Sequence, residues 1–124
     1  MIEFNTNLPI YIQIEEIIKS QIISGELSPG EKLESVRSYA EIYEVNPNTV
    51  QRALSDLEST GLIHSKRAVG KFVTDDKSLI NLIKERQIDI EIRSMLEKLY
   101  SQGYSKEEIY TSLKNLLKEE NIHE

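Results

Sequence analysis

The sequence predicts a mostly α fold in which three helices are closed by a β-hairpin and followed by two further helices. Three observations predict it. Apolar residues recur at spacings of three and four along most of the chain. Two short β-prone runs flank a basic pentapeptide near its middle. Start and stop signals (Pro9, Gly25, Asn46-Pro47, Gly61, Gly103) fall between the periodic stretches.

The first helix is expected to open with Pro9 as its first helical residue, where the missing N–H would be unpaired anyway. Ile10, Ile14, Ile17, Ile18 and Ile22 build its apolar stripe, and Gly25 stops it. Ser28-Pro29-Gly30 is a turn leading to an extended piece around Lys32 to Glu34. Ser35 is the N-cap of a short second helix to about Tyr43, with Val36, Tyr39 and Ala40 inward. Asn46-Pro47 repeats the start signal for a third helix running to about Thr60, with Gly61 ending it. The short connection between the second and third helices matches a helix-turn-helix. Leu62 to Ser65 and Lys71 to Thr74 then form a hairpin around Lys66-Arg67-Ala68-Val69-Gly70, completing a winged helix-turn-helix. Asp75-Asp76-Lys77 is a brief polar linker. A long helix is expected from Ser78 to Ser101, about 36 Å at 1.5 Å per residue. Ser105 and Glu108 have the spacing of a capping box for a last helix to about Glu120. The domains expected are therefore residues 8–75, the winged helix, and residues 77–121, a two-helix dimerisation region.

At 124 residues there is room for one compact domain and a modest extension. Hydrophobic residues at 39% and charged residues at 29% fit a soluble globular chain. With no cysteine there are no disulfides, thiolate metal sites or thiol nucleophiles. No apolar run approaches the roughly 20 residues that span a bilayer, and Met1 to Leu8 lack the basic cluster of a signal peptide. A cytoplasmic location is expected, with no membrane partner, cofactor or metal.

The net charge of −6 argues at first against nucleic acid, but the distribution softens this. Residues 1–45 carry Lys19, Lys32 and Arg37 against eight acids, a balance of −5. Residues 46–71 carry Arg52, Lys66, Arg67 and Lys71 against Asp56 and Glu58, a balance of +2. Affinity depends on cations on the contact face, so an acidic far side is tolerable.

In the third helix Val50, Ala53, Leu54 and Leu57 share one face. The other presents Asn48, Thr49, Gln51, Arg52 and Ser55, the short polar, amide and guanidinium groups that reach base edges and phosphates in a major groove. Asn46 and the helix N-terminus add N–H groups suited to a phosphate. Any surface helix needs a polar outer face. The functional reading rests on its place, directly after a short helix and turn and directly before a basic hairpin.

The stretches "PIYIQI", "SGELSPGEKLESVRSYA", "VNPNTVQRALSDLESTGLI" and "KRAVGKFV" together resemble the N-terminal domain of the GntR family of bacterial regulators, over roughly residues 8 to 75. The short remainder resembles the YtrA-like subfamily, whose members carry two helices after the DNA-binding domain and dimerise through them. The resemblance implies that Ser35 and Arg37 contact DNA backbone or bases, and that Asn48, Thr49 and Gln51 enter the major groove with Arg52 beside them. It also implies that Lys66, Arg67 and Gly70 belong to a wing approaching the minor groove. Arg37 could otherwise be a solvated charge or pair with Glu34 or Glu41. The wing cations could merely decorate an exposed turn. Three positions depart from the family pattern: Glu34 stands where Pro is usual, Gln51 where Arg is frequent, and Ala68 where the wing has glycine.

Leu79, Ile83, Ile90, Met95 and Leu99 line up approximately along the long helix, with Ile80, Ile88, Ile92 and Leu96 as a second strip. Ile109, Leu113, Leu116 and Leu117 form a stripe on the last one. So much apolar surface on two helices needs a partner, and a two-fold homodimer is expected. The alternative for these helices is a tail folded back on its own winged helix. Two recognition helices at fixed spacing then require half-sites about 34 Å apart, or a multiple of this, in a pseudo-palindromic double-stranded operator. An effector site for a small molecule is conceivable at the dimer seam, with Tyr100, Tyr104, Tyr110 and Arg93 as candidates. The simpler reading gives the tyrosines a packing role. Repression of the chain's own operon is expected, because a small dimer across a promoter excludes polymerase without a dedicated contact surface. Transporter genes are target candidates by family analogy alone.

An enzyme fails on inventory. His64 and His123 have no ligand spacing, no phosphate-binding glycine loop is present, and Glu107-Glu108 are adjacent on a helix. The remaining alternative is a winged helix used for protein–protein contact, which the acidic balance keeps open.

Overall fold

The computed structural model describes residues 3–122, so His123 lies outside the described residues. The element order is α1 (Ile10–Ser24), α2 (Val36–Tyr43), α3 (Pro47–Ser59), β1 (Ile63–Lys66), β2 (Gly70–Val73), α4 (Lys77–Ser101) and α5 (Lys106–Ile122). The fold is a winged helix-turn-helix with two C-terminal helices. It divides into two compact units, Met1–Lys84 and Glu85–Glu124.

Local chemistry sets most boundaries. Ser35 Oγ accepts from the Ser38 N–H at 3.0 Å and Asn46 Oδ1 from the Asn48 N–H at 2.7 Å, so α2 and α3 both start on side-chain caps. Pro47 follows as the first residue of α3. Pro9 differs from expectation: its ψ of 138° is extended, so it precedes α1 as the N-cap. In the turn at Ser28-Pro29-Gly30, the Glu31 N–H donates to the Ser28 carbonyl at 3.0 Å and Gly30 takes φ 80°. Pro at the second position and a positive φ at the third are what a type II turn demands. Residues 75–77 are not a free linker. Asp76 Oδ1 accepts from the Leu79 N–H at 3.1 Å, which caps α4 and draws Lys77 into it.

The strands are displaced by one residue from the expected Leu62 to Ser65 and Lys71 to Thr74. Lys66 pairs with Gly70, and only Arg67, Ala68 and Val69 remain in the loop. A Val69 N–H to Lys66 carbonyl bond of 3.0 Å closes it, with Ala68 at φ 63°. This is the tight geometry of a short hairpin loop with one residue in the left-handed region. The extended piece before α2 lies along the other edge of β2. Lys32 bridges Phe72, the Leu33 N–H donates to the Lys71 carbonyl, and the Val73 N–H donates to the Glu31 carbonyl.

The core of the first unit is one cluster. Ile14, Ile18 and Ile22 of α1 meet Val50, Ala53, Leu54 and Leu57 of α3, with Leu33, Tyr39, Ala40, Tyr43, Leu62, Ile63 and Val73 around them. Ile80 joins this cluster and Ile83 packs on it, which is why the unit extends past residue 75 into α4. At about 25 cal/mol per Å² of apolar surface removed from water, such burial is the main force holding α1 on α3. In the second unit Ile109 of α5 is buried. Both capping-box bonds form there: Ser105 Oγ accepts from the Glu108 N–H, and Glu108 Oε1 from the Ser105 N–H.

Candidate nucleic-acid interface

The cluster buries one face of α3 and thereby decides what the other offers. Asn48, Gln51, Arg52 and Ser55 are exposed and Thr49 is half-buried, on a helix whose opposite side is locked to α1. The Asn46 carboxamide oxygen is occupied as the cap, which leaves its NH2 donors outward. Gln51 Nε2 donates to Ser55 Oγ at 3.2 Å, which leaves its second N–H and its carboxamide oxygen for an adenine edge. The Arg52 guanidinium lies 3.9 Å from the centroid of the Tyr11 ring on α1.

At the start of α2, Ser35 oxygen serves the helix while its hydroxyl proton is free to donate. Arg37 pairs with Glu41 at 3.7 Å, with 90% and 74% of the side chains exposed, so the pair is weak and Arg37 remains available. Glu34, the acidic residue at the family's proline position, accepts from Ser38 Oγ at 3.0 Å. Between this helix start and the wing lies a hollow of about 640 Å³ lined by Lys32, Ser35, Val36, Leu54, Gly70 and Lys71 among others.

The wing's cations have different surroundings. Lys66 Nζ stands 4.4 Å from the centroid of the Phe72 ring, and Arg67 is exposed in the loop. Lys71 is committed elsewhere: its Nζ lies 3.0 Å from Glu58 Oε1 and 2.8 Å from Ser65 Oγ, with 20% of the side chain exposed. The hydrogen bonds from Ser65 and Lys71 hold the Glu58 carboxyl below the usual carboxylate range. Of the four cations in residues 46–71, Lys71 is therefore neutralised in place. Gly70 has φ 141°, and a Cβ there would approach Lys32 Cε to 3.1 Å. That contact places Lys32 beside the wing, a cation that sequence reasoning did not attach to it. Only the chain's return through residues 31–33 could have revealed it.

Between α1 and α3, burial and then the nearby Asp56 charge raise the Glu15 carboxyl. Burial pushes the Tyr39 hydroxyl up to about 12. Among the expected dimer residues, Leu79 is half-buried and Ile83 packs on the first unit's core. Ile90 at 56%, Met95 at 38% and Leu116 at 56% are exposed, as is Leu113, whereas Leu99 is half-buried and Ile109 buried. Within the second unit Met95, Leu99, Tyr104, Ile109, Leu113 and Leu116 line an open groove of about 520 Å³. Tyr100 and Tyr110 are exposed and do not line it. Among the described residues, no helix is long and apolar enough to cross a membrane.

A short scaffold helix, a capped helix with an exposed polar face and a cation-tipped hairpin define a winged-helix protein of the nucleic-acid-binding class. The family described as "Bacterial regulatory proteins, gntR family" matches residues 10–73, and the chain belongs to it. Members of this family are regulators and not enzymes. The chain is 30% identical to the HTH-type transcriptional repressor YtrA of Bacillus subtilis, across 93% of this chain and 89% of that one. A GntR family transcriptional regulator from Listeria monocytogenes superposes with a TM-score of 0.83 at 36% identity, over 90% of this chain and 98% of the other. The DNA-binding domain of AraR in complex with its operator ORR3 matches at a TM-score of 0.53 and 34% identity, covering 60% of this chain and 87% of that one.

Proposed function

We propose that the chain is a cytoplasmic, homodimeric repressor that binds a pseudo-palindromic operator in its own operon, with transporter genes among its targets. The observation that carries this reading is the α3 surface: Asn48, Gln51, Arg52 and Ser55 stand exposed on a helix held by its opposite face, and the hairpin that follows it exposes Lys66 and Arg67. Asn48 and Gln51 would read base edges, while Ser35, Arg37, Asn46, Thr49, Arg52, Lys66, Arg67 and Gly70 would position the head on backbone or groove. The relatives support repression, since YtrA is named a repressor and AraR is seen on operator DNA. The domain division follows the same logic, with residues 8–75 as reader and 77–121 as dimerisation region. The exposed Ile90, Met95, Leu113 and Leu116 support the dimer, because contiguous apolar surface on two helices is stabilised by a partner. The groove beside Tyr104 is the candidate seat of a small-molecule effector.

The test is fluorescence anisotropy with the chain's own upstream region across a salt series. A DNA reader loses affinity steeply with salt. Arg37→Ala and Arg52→Ala should each weaken binding without unfolding the protein. Unchanged binding by both would remove the site assignment and favour the protein-contact alternative. Reporter output in a deletion strain decides the sign of regulation: expression that falls on deletion contradicts repression.

A further inference from the structure

Arg52 is the one α3 cation on the exposed side, and its neighbours are unusual for an arginine. Asp56 lies one turn further along the same helix, the spacing at which an ion pair commonly forms. Yet among the described residues the ion pairs are Arg37–Glu41 and Lys71–Glu58, and Arg52 makes neither an ion pair nor a hydrogen bond. Asp56 instead lies near Glu15 of α1, whose carboxyl its charge raises. The Arg52 guanidinium rests at 3.9 Å over the Tyr11 ring, in the first turn of α1. A guanidinium placed on a ring keeps its N–H donors at its rim free.

We infer that Tyr11 is a positioning residue for operator binding, whose ring holds Arg52 on the α1 flank of the recognition helix with its donors free for a DNA phosphate. This rests on the reading of α3 as the DNA-reading helix. A helix about 10–12 Å across fills a major groove about 12 Å wide, so its central stripe meets bases and its flanks meet the two backbones. Asn48, Gln51 and Ser55 form the central stripe, and Tyr11 draws Arg52 to one side of it. Without the ring, the long side chain would recover its rotamer freedom and the turn-away option of Asp56.

The experiment uses the full chain and an operator duplex recovered from a random pool by in vitro selection with the wild type. Affinity is read by anisotropy between 50 and 200 mM salt for Tyr11→Leu, Tyr11→Phe, Arg52→Ala and the Tyr11→Leu/Arg52→Ala double variant. Tyr11→Leu should bind about two- to fivefold more weakly with a shallower salt slope, and Tyr11→Phe should match the wild type. The double variant should bind no more weakly than Arg52→Ala alone. Additive losses, or full binding by Tyr11→Leu where Arg52→Ala is impaired, overturn the role of Tyr11 alone. Unchanged binding by Arg52→Ala overturns the interface reading and this role with it. Should Tyr11→Leu fold poorly, the Arg52 Hε resonance of the wild type and of Tyr11→Phe decides. An upfield ring-current shift supports the placement and an ordinary shift overturns it.

Discussion

Lys71 Nζ lies 3.0 Å from Glu58 Oε1, which ties the second wing strand to the last turn of α3. Ser65, on the first wing strand, hydrogen-bonds the same carboxylate oxygen, so one acid holds both strands at a set position relative to α3. The wing and α3 are therefore held together as one body. Because its folded value is depressed, the Glu58 carboxylate contributes stability that is present above the ordinary carboxylate range and lost as pH falls through the folded value. Glu58→Gln should lower Tm at pH 7, and the gap to wild type should close below about pH 4 in a thermal-melt series. A gap independent of pH would contradict the ion-pair account.

The same pairing separates the wing's cations. Lys66→Ala and Arg67→Ala should each make the salt dependence of operator affinity shallower by about one unit. Lys71→Ala should leave that slope near the wild-type value, because its charge is already matched by Glu58. A slope loss at Lys71 equal to that at Lys66 would show that the ion pair opens on DNA.

Glu15 follows the opposite sign. Its carboxyl is raised by burial and then by Asp56, so its charge at neutral pH works against the fold, and the penalty is relieved as pH falls through the raised value. Glu15→Gln should stabilise the protein at pH 7 by no more than about 0.5 kcal/mol, since both groups are partly solvated. The gain should vanish at acid pH. Thermal melts at pH 7 and pH 4 check it.

Ala68 holds a left-handed conformation, φ 63°, at the wing tip, where a side chain bearing Cβ is strained by about 1–2 kcal/mol. Ala68→Gly should relieve this, less the extra entropy that glycine loses on folding, for a net gain of up to about 1 kcal/mol. Chemical denaturation measures it. A destabilised variant would show that the loop tolerates alanine without strain.

Leu116→Glu, on the exposed stripe of α5, should convert a dimer to a monomer at micromolar concentration in sedimentation velocity while the first unit keeps its melting behaviour. A wild-type chain that already sediments as a monomer would contradict the assembly.

Much of the fold was legible in residues close together along the chain. Ser35, Asn46, Ser105 with Glu108, and Ser28-Pro29-Gly30 each act on backbone groups within three residues, so their chemistry is complete within a short window. The buried face of α3 was equally plain, because Val50, Ala53, Leu54 and Leu57 repeat at the helical period. The strand ends were legible only to within one residue, since the pairing reaches Lys66 and Gly70 by virtue of Ala68 accepting a conformation that favours glycine.

What the tertiary structure decided is partnership across distance. That Lys71 is neutralised by Glu58, that Arg52 turns to Tyr11 rather than Asp56, that Lys32 stands beside Gly70, and that Ile80 and Ile83 serve the first unit's core all join residues from different elements. The physical reason is one of range. Caps, turns and helical periodicity are set by neighbours in the chain. The surroundings of a charged side chain, which decide whether it is free to meet a phosphate, are set by whatever the folded backbone brings within about 4 Å.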